Sequence, residues 1–124
     1  MKITLGENLT TSAMQEGLSP VETAFGNQRQ HMNPGELLTA SLGACMLTMV
    51  GYMAAKRGDN TQGTTADITT KFDDKHTRII AFDIVLNFPS SFTSEQKDVY
   101  LRAAQTCPVH NSLREDIKYT ITVK

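Results

Sequence analysis

An α+β domain is what this chain predicts, and three observations predict it. Apolar residues recur at helical spacing from Pro34 to about Arg57. Ile80, Phe82, Ile84, Leu86 and Phe88 alternate without a break. Ile117, Tyr119, Ile121 and Val123 alternate again at the end of the chain. The first period belongs to a helix and the other two to strands with one covered face. At 124 residues the chain is expected to be one domain, residues 1–124.

The N-terminal third reads as two or three short strands. Met1, Ile3 and Leu5 form one, and Val21, Thr23 and Phe25 another, with Gly6, Gly17, Pro20 and Gly26 as turn residues. A polar loop follows from Phe25 to Asn33, and Asn33-Pro34 opens a helix with proline at its first position. Within that helix Leu38, Leu42, Cys45, Met49 and Met53 share one side, while Leu37, Leu47 and Val50 make other sides apolar, so burial all round is expected. Ala40, Gly43 and Ala44 are small enough for another backbone to approach closely. Lys56-Arg57-Gly58 ends the helix with cations and a glycine.

Ala66, Ile68, Thr70 and Phe72 lead through the polar turn Asp73 to His76 into the strong alternation, as a hairpin with one buried face. Thr93 and Gln96 have capping-box spacing and open a helix through Val99, Leu101 and Ala103 that ends near Thr106. Cys107-Pro108 reads as a further helix start, with cysteine at the N-cap, ending near Leu113. The final alternation is the last strand.

Lys and Arg number 12 against 13 Asp and Glu, so neither nucleic acid nor an anionic membrane is expected as a partner. The apolar patch around Ala44 to Met53 is too short to span a bilayer, no signal stretch is present, and a cytoplasmic protein is expected. Two cysteines do not make a secreted disulfide framework; they are inert core thiols or a redox pair. There is no glycine-rich phosphate loop, and Cys107-x-x-His110 is half a zinc site with only Cys45, His31 and His76 to complete it. No cofactor and no metal are expected.

An N-cap position for Cys107 would place its thiol at the positive end of a helix dipole and lower its pKa; the alternative is a cap and nothing more. Cys45 lies eleven residues past Pro34, roughly 16 Å along the axis, where the dipole gives little and apolar neighbours raise a thiol's pKa. To be a nucleophile it needs a cation. Arg29 is best placed by sequence, and Lys56, Arg57 and His110 are the others. His110 could share a proton with Cys107, though a helix-surface histidine is the reading taken. Met32, Met46, Met49 and Met53 serve either core packing or an apolar pocket, with Leu42, Met46 and Met49 as its wall beside Cys45.

The stretch NPGELLTASLGACMLTMV, with CPVHNSL about sixty residues later, resembles the OsmC/Ohr family of stress-response proteins, and the order of elements agrees over nearly the whole chain. The resemblance implies strands wrapped around a long buried central helix in an intertwined homodimer, with sites at the subunit interface. It implies that Cys45 attacks an organic hydroperoxide or hydrogen peroxide, that Cys107 resolves the sulfenic acid into a disulfide, and that a dithiol reductant regenerates both. The family's peroxidases carry a glutamate ten positions before the first cysteine and an arginine ten before that; here those positions hold Gly35 and Ala24 or Phe25. Glu36 and Arg29 are the nearby candidates for the pair. Nine residues at about 100° each set Glu36 on the helix face opposite Cys45. The chain thus resembles the broader OsmC-like branch more than the well-characterised hydroperoxide reductases. The function expected is a thiol-dependent peroxidase; the alternative is a non-enzymatic protein that binds a small apolar ligand in the dimer groove.

Overall fold

In the computed structural model, which describes residues 1–124, nine elements follow one another. They are β1 (Lys2–Leu5), β2 (Thr10–Met14), β3 (Val21–Ala24), α1 (Pro34–Arg57), β4 (Thr65–Phe72), β5 (Ile79–Asn87), α2 (Ser94–Gln105), α3 (Pro108–Ser112) and β6 (Lys118–Val123). The expected α+β class is what is found. The chain divides into two units, Met1–Ala40 and Ser41–Lys124, with the boundary inside α1.

The first unit is an antiparallel meander in the order β1-β2-β3. Its first turn is tight: Gly6 N–H donates to the Thr10 carbonyl and Thr10 N–H to the Glu7 carbonyl. Asn8 and Leu9 both take positive φ there, a conformation costly for a leucine. Ile3 pairs with Ala13, and Ala13 with Val21, so these three share one face. The alternation in the sequence marks that face correctly, yet Ile3 is 58% exposed, Leu5 75% and Val21 45%. Only Thr23 and Ala24 of this unit are buried.

The second unit holds the core. Its sheet has the order β4-β5-β6, with β4 antiparallel and β6 parallel to the central β5. Phe82, Ile84 and Leu86 project inward from β5 and pack in one cluster with Leu42, Met46, Val50 and Ala54 of α1 and Tyr100 and Ala104 of α2. Four-residue spacing puts those α1 side chains in a single stripe. The parallel β5–β6 pairing requires a crossover, which α2 and α3 supply. The Thr93–Gln96 capping box forms as expected. Tyr100 O–H donates to Asp59 at 2.5 Å, tying α2 to the residues just past α1.

Within the single chain the buried residues of α1 are Leu42, Gly43, Met46, Val50 and Ala54, and Leu38 and Tyr52 are exposed, as expected where one copy alone leaves part of the helix uncovered. One expectation about α1 needs correction: by length and hydropathy the helix would suffice to cross a membrane, although Leu42, Met46, Val50 and Ala54 are packed in the core with β5. Gly43 lies on the packed side, where an added Cβ would sit 3.0 Å from Ile68 Cδ1. Gly43→Val is therefore expected to destabilise the fold by about 1–3 kcal/mol through overpacking, read as a lower urea midpoint. An unchanged midpoint would mean that Ile68 moves aside freely.

Candidate active site

The two cysteines meet. Cys45, half-buried on α1, and Cys107, fully buried at the N-cap of α3, are both free thiols, near enough to interact. Three local features bring Cys107 there. Thr106 ends α2, Pro108 starts α3 at its first position, and the Cys107 Sγ between them accepts the His110 backbone N–H at 3.4 Å. The same sulfur lies 4.0 Å from the Leu42 carbonyl of α1, less than one turn before Cys45.

Burial and the contact with Cys45 push the Cys107 thiol above the ordinary cysteine range, against the backbone N–H groups of His110 and Val109 that pull it down. This corrects the expectation of a lowered pKa. A helix of five residues has little dipole to offer, and desolvation of a charge in the core outweighs it. Cys107 is a neutral thiol at rest, and Cys45 is the one with a face toward solvent.

Other candidates move as well. His110 is not a plain surface residue: its ring packs edge-on against Tyr119 with centroids 4.3 Å apart, and its Nδ1 is buried with no partner. Tyr119, which sequence reasoning passed over, has a buried hydroxyl with no partner and is pushed upward by burial and by the nearby Cys107. Its one sequence signal is the alternation that turns it inward on β6, where it stacks on Phe82 at 5.7 Å. Lys56 sits over the Tyr52 ring at 4.5 Å and Arg57 pairs with Asp59 at 3.6 Å, so both cations are engaged elsewhere. Leu42 and Met46 are core residues, buried among the inward side chains of β5 and α2. Met49 and Met53 do line one, an apolar depression of about 260 Å³ shared with Tyr52, Val99 and Arg102. Met32 is exposed in the first unit.

Arg29 and Glu36 also come together, in the first unit. The loop folds back so that both guanidinium Nη groups reach the Glu36 carboxylate, Nη2 at 2.6 Å from Oε1, and Nη1 also donates to the His31 carbonyl. Glu36 is at the same time the N3 member of a capping box: Asn33 N–H donates to its carboxylate at 3.0 Å, and Asn33 Oδ1 accepts the Glu36 N–H at 2.8 Å. Arg29 first, then the Asn33 N–H, hold the Glu36 carboxyl below the usual glutamate range. A depressed pKa contributes stability above the unfolded value, and that contribution is lost as pH falls through the folded one. The first-turn amides of α1 should accordingly keep their exchange protection down past the ordinary glutamate pKa of about 4.3. Fraying that begins at or above that pH would contradict the pairing.

The four candidate residues thus form two pairs, Cys45 with Cys107 and Arg29 with Glu36. A family model described as OsmC-like protein matches residues 26–122. No curated protein sequence matches the chain. Among solved structures, one described as an osmotic stress induced and detoxification response protein from Psychrobacter arcticus 273-4 is 26% identical. It superposes with a TM-score of 0.91 over 99% of this chain and 93% of that one. An OsmC like protein from Mycoplasma pneumoniae is 16% identical, with a TM-score of 0.86 over 99% and 93%. The organic hydroperoxide resistance protein OhrB of Bacillus subtilis is 17% identical, with a TM-score of 0.71 over 99% and 96%.

Proposed function

The chain belongs to the OsmC-like protein family, and from that premise we propose that it is a thiol-dependent peroxidase acting in oxidative-stress defence. The observation that carries the reading is the contact between two free thiols of unequal exposure, 62 positions apart in sequence. Structural neighbours described as organic hydroperoxide resistance proteins support it at the level of the general role.

In this reading the Cys45 thiolate attacks one oxygen of a hydroperoxide, the O–O bond breaks, and the alcohol leaves with a proton. Cys45 is then a sulfenic acid. The Cys107 sulfur attacks the Cys45 sulfur, the S–O bond breaks, and water leaves as the disulfide forms. A dithiol reductant takes the oxidation onto itself by two thiol exchanges and restores both cysteines. Arg29 and Glu36 are assigned the part of the family's arginine and glutamate, the guanidinium stabilising the thiolate or the peroxide oxygen within a homodimer. Arg29→Gln should then lower kcat/KM for hydroperoxide, whereas a purely capping role would leave turnover unchanged and lower only the melting temperature.

The deciding experiment is consumption of cumene hydroperoxide with dithiothreitol as reductant. Wild type should turn over many times and Cys45→Ser not at all; equal background rates for both would overturn the peroxidase reading. A second reading, a non-enzymatic binder of a small apolar molecule, has its own support in the depression lined by Met49, Met53 and Val99. Saturable binding of anilinonaphthalene sulfonate, abolished by Met53→Arg in a protein without peroxide turnover, would favour it.

A further inference from the structure

Resting on the peroxidase reading, we infer that His110 takes the proton from Cys107 when the disulfide closes and supplies one to it when the disulfide opens. Neither the helix cap nor the fold requires a histidine here. The cap uses only the backbone N–H of residue 110, and the ring packing on Tyr119 would be served by any aromatic side chain. What the imidazole adds is a buried Nδ1 with no partner, within one helical turn of a thiol that must lose its proton to react. An unpaired buried ring nitrogen costs free energy at rest, so its presence calls for a moment at which it is paired.

The surroundings fit a proton path. Cys107 is 0% exposed and cannot hand its proton to bulk water directly. Its pKa stands above the ordinary thiol range, so spontaneous ionisation near neutral pH is rare. On the outer side, His110 and Tyr119 line a solvent-open depression of about 360 Å³ that Cys107 does not reach. The titratable and charged groups around the imidazole are few. Tyr119 faces it from β6, Cys107 lies on the inner side with Cys45 of α1 behind it, and Arg114 and Glu115 follow α3. Arg114 is drawn away by Asp116 at 3.0 Å. A turn of the side chain, or one bridging water, carries the Cys107 proton to Nδ1.

The step balances. During closure His110 accepts the Cys107 proton as sulfur attacks the Cys45 sulfenic acid, and it delivers that proton to the departing hydroxide, which leaves as water. During reduction a thiol of the dithiol attacks Cys45, the more exposed half, and gives up its proton to His110, while Cys107 departs as a thiolate that takes this proton from the imidazolium. Tyr119, through its edge-on contact, acts as a positioning residue for the ring.

The test separates this step from peroxide chemistry. Cys45 is first labelled with dithiobis(nitrobenzoate), which supplies the oxidant as an aromatic disulfide, and displacement of the coloured thiolate by Cys107 is followed across pH. In His110→Gln this displacement should be about 100-fold slower near neutral pH. The deficit should shrink as rising pH ionises Cys107 directly, and an inflection present in the wild-type profile should disappear. His110→Phe keeps a ring against Tyr119 without the nitrogen and should show the same loss if the glutamine variant folds poorly. Wild-type rate and profile in the folded phenylalanine variant would overturn the inference. Histidine-dependent closure in a protein that consumes no hydroperoxide would sustain it while removing the peroxidase reading.

Discussion

Cys45→Ser is expected to abolish hydroperoxide consumption and to leave Cys107 unmodified, while Cys107→Ser consumes one equivalent and accumulates a sulfenic acid on Cys45. The loss in the first variant should be roughly a thousandfold or more, as for removal of other catalytic nucleophiles. Two physical facts set the order of reaction. Cys107 is sealed in the core with its pKa raised, so it is neither reachable nor ionised when peroxide arrives. Cys45 keeps a face to solvent with Cys107 beside it, so in the proposed reaction an oxidant meets Cys45 first and the second sulfur is already near. A sub-stoichiometric dose of cumene hydroperoxide followed by dimedone and peptide mass analysis reads both outcomes. Wild type should yield an intramolecular 45–107 disulfide instead of an adduct. A dimedone adduct on Cys107 in Cys45→Ser, with none on Cys45 in Cys107→Ser, would reverse the roles.

Local sequence argument alone gives the opposite order, and the reason it does so marks the limit of what the chain discloses. A cysteine before a proline announces a helix cap, and the cap is there. Whether the cap activates the thiol depends on burial by α1 and the sheet, a property of contacts far away in sequence. The same division runs through the whole fold. The bounds of α1, the Thr93 capping box and the inward residues of β5 follow from spacing within a few residues and appear as expected. The parallel pairing of β6 with β5 does not, since period two fixes a strand's faces and not its partner. Tyr119 and the Nδ1 of His110 become part of the site only through that pairing. Arg29 and Glu36 were legible as candidates from charge and position, but their mutual contact required the loop between them to turn back.

We propose that the chain assembles as a homodimer through its first three strands, so Ile3→Asp combined with Leu5→Asp is expected to leave a monomer with a lower melting temperature. The strand meander β1-β2-β3 presents Ile3, Leu5 and Val21 on one face and leaves all three open to solvent. Met1, Leu9, Leu18 and Phe25 of the same unit are exposed as well. Three strands with no buried large apolar side chain cannot hold themselves together, and an apolar face of this extent calls for a partner. A second copy supplies one without any further protein, and two-fold symmetry then makes each substitution count twice. At about 1.5–3 kcal/mol per buried aliphatic side chain, four lost side chains amount to roughly 6 kcal/mol or more, some four powers of ten in the dimer dissociation constant. Light scattering at micromolar concentration reads the change directly, with Thr4→Asp on the opposite face of β1 as a control that keeps the dimer. A wild-type protein that is monodisperse as a monomer would sink the proposal, and so would a dimer indifferent to charge at positions 3 and 5. If assembly is lost and peroxide turnover falls with it while Cys45 can still be oxidised, the site needs the second subunit for binding or regeneration, and the thiol pair alone supplies the chemistry.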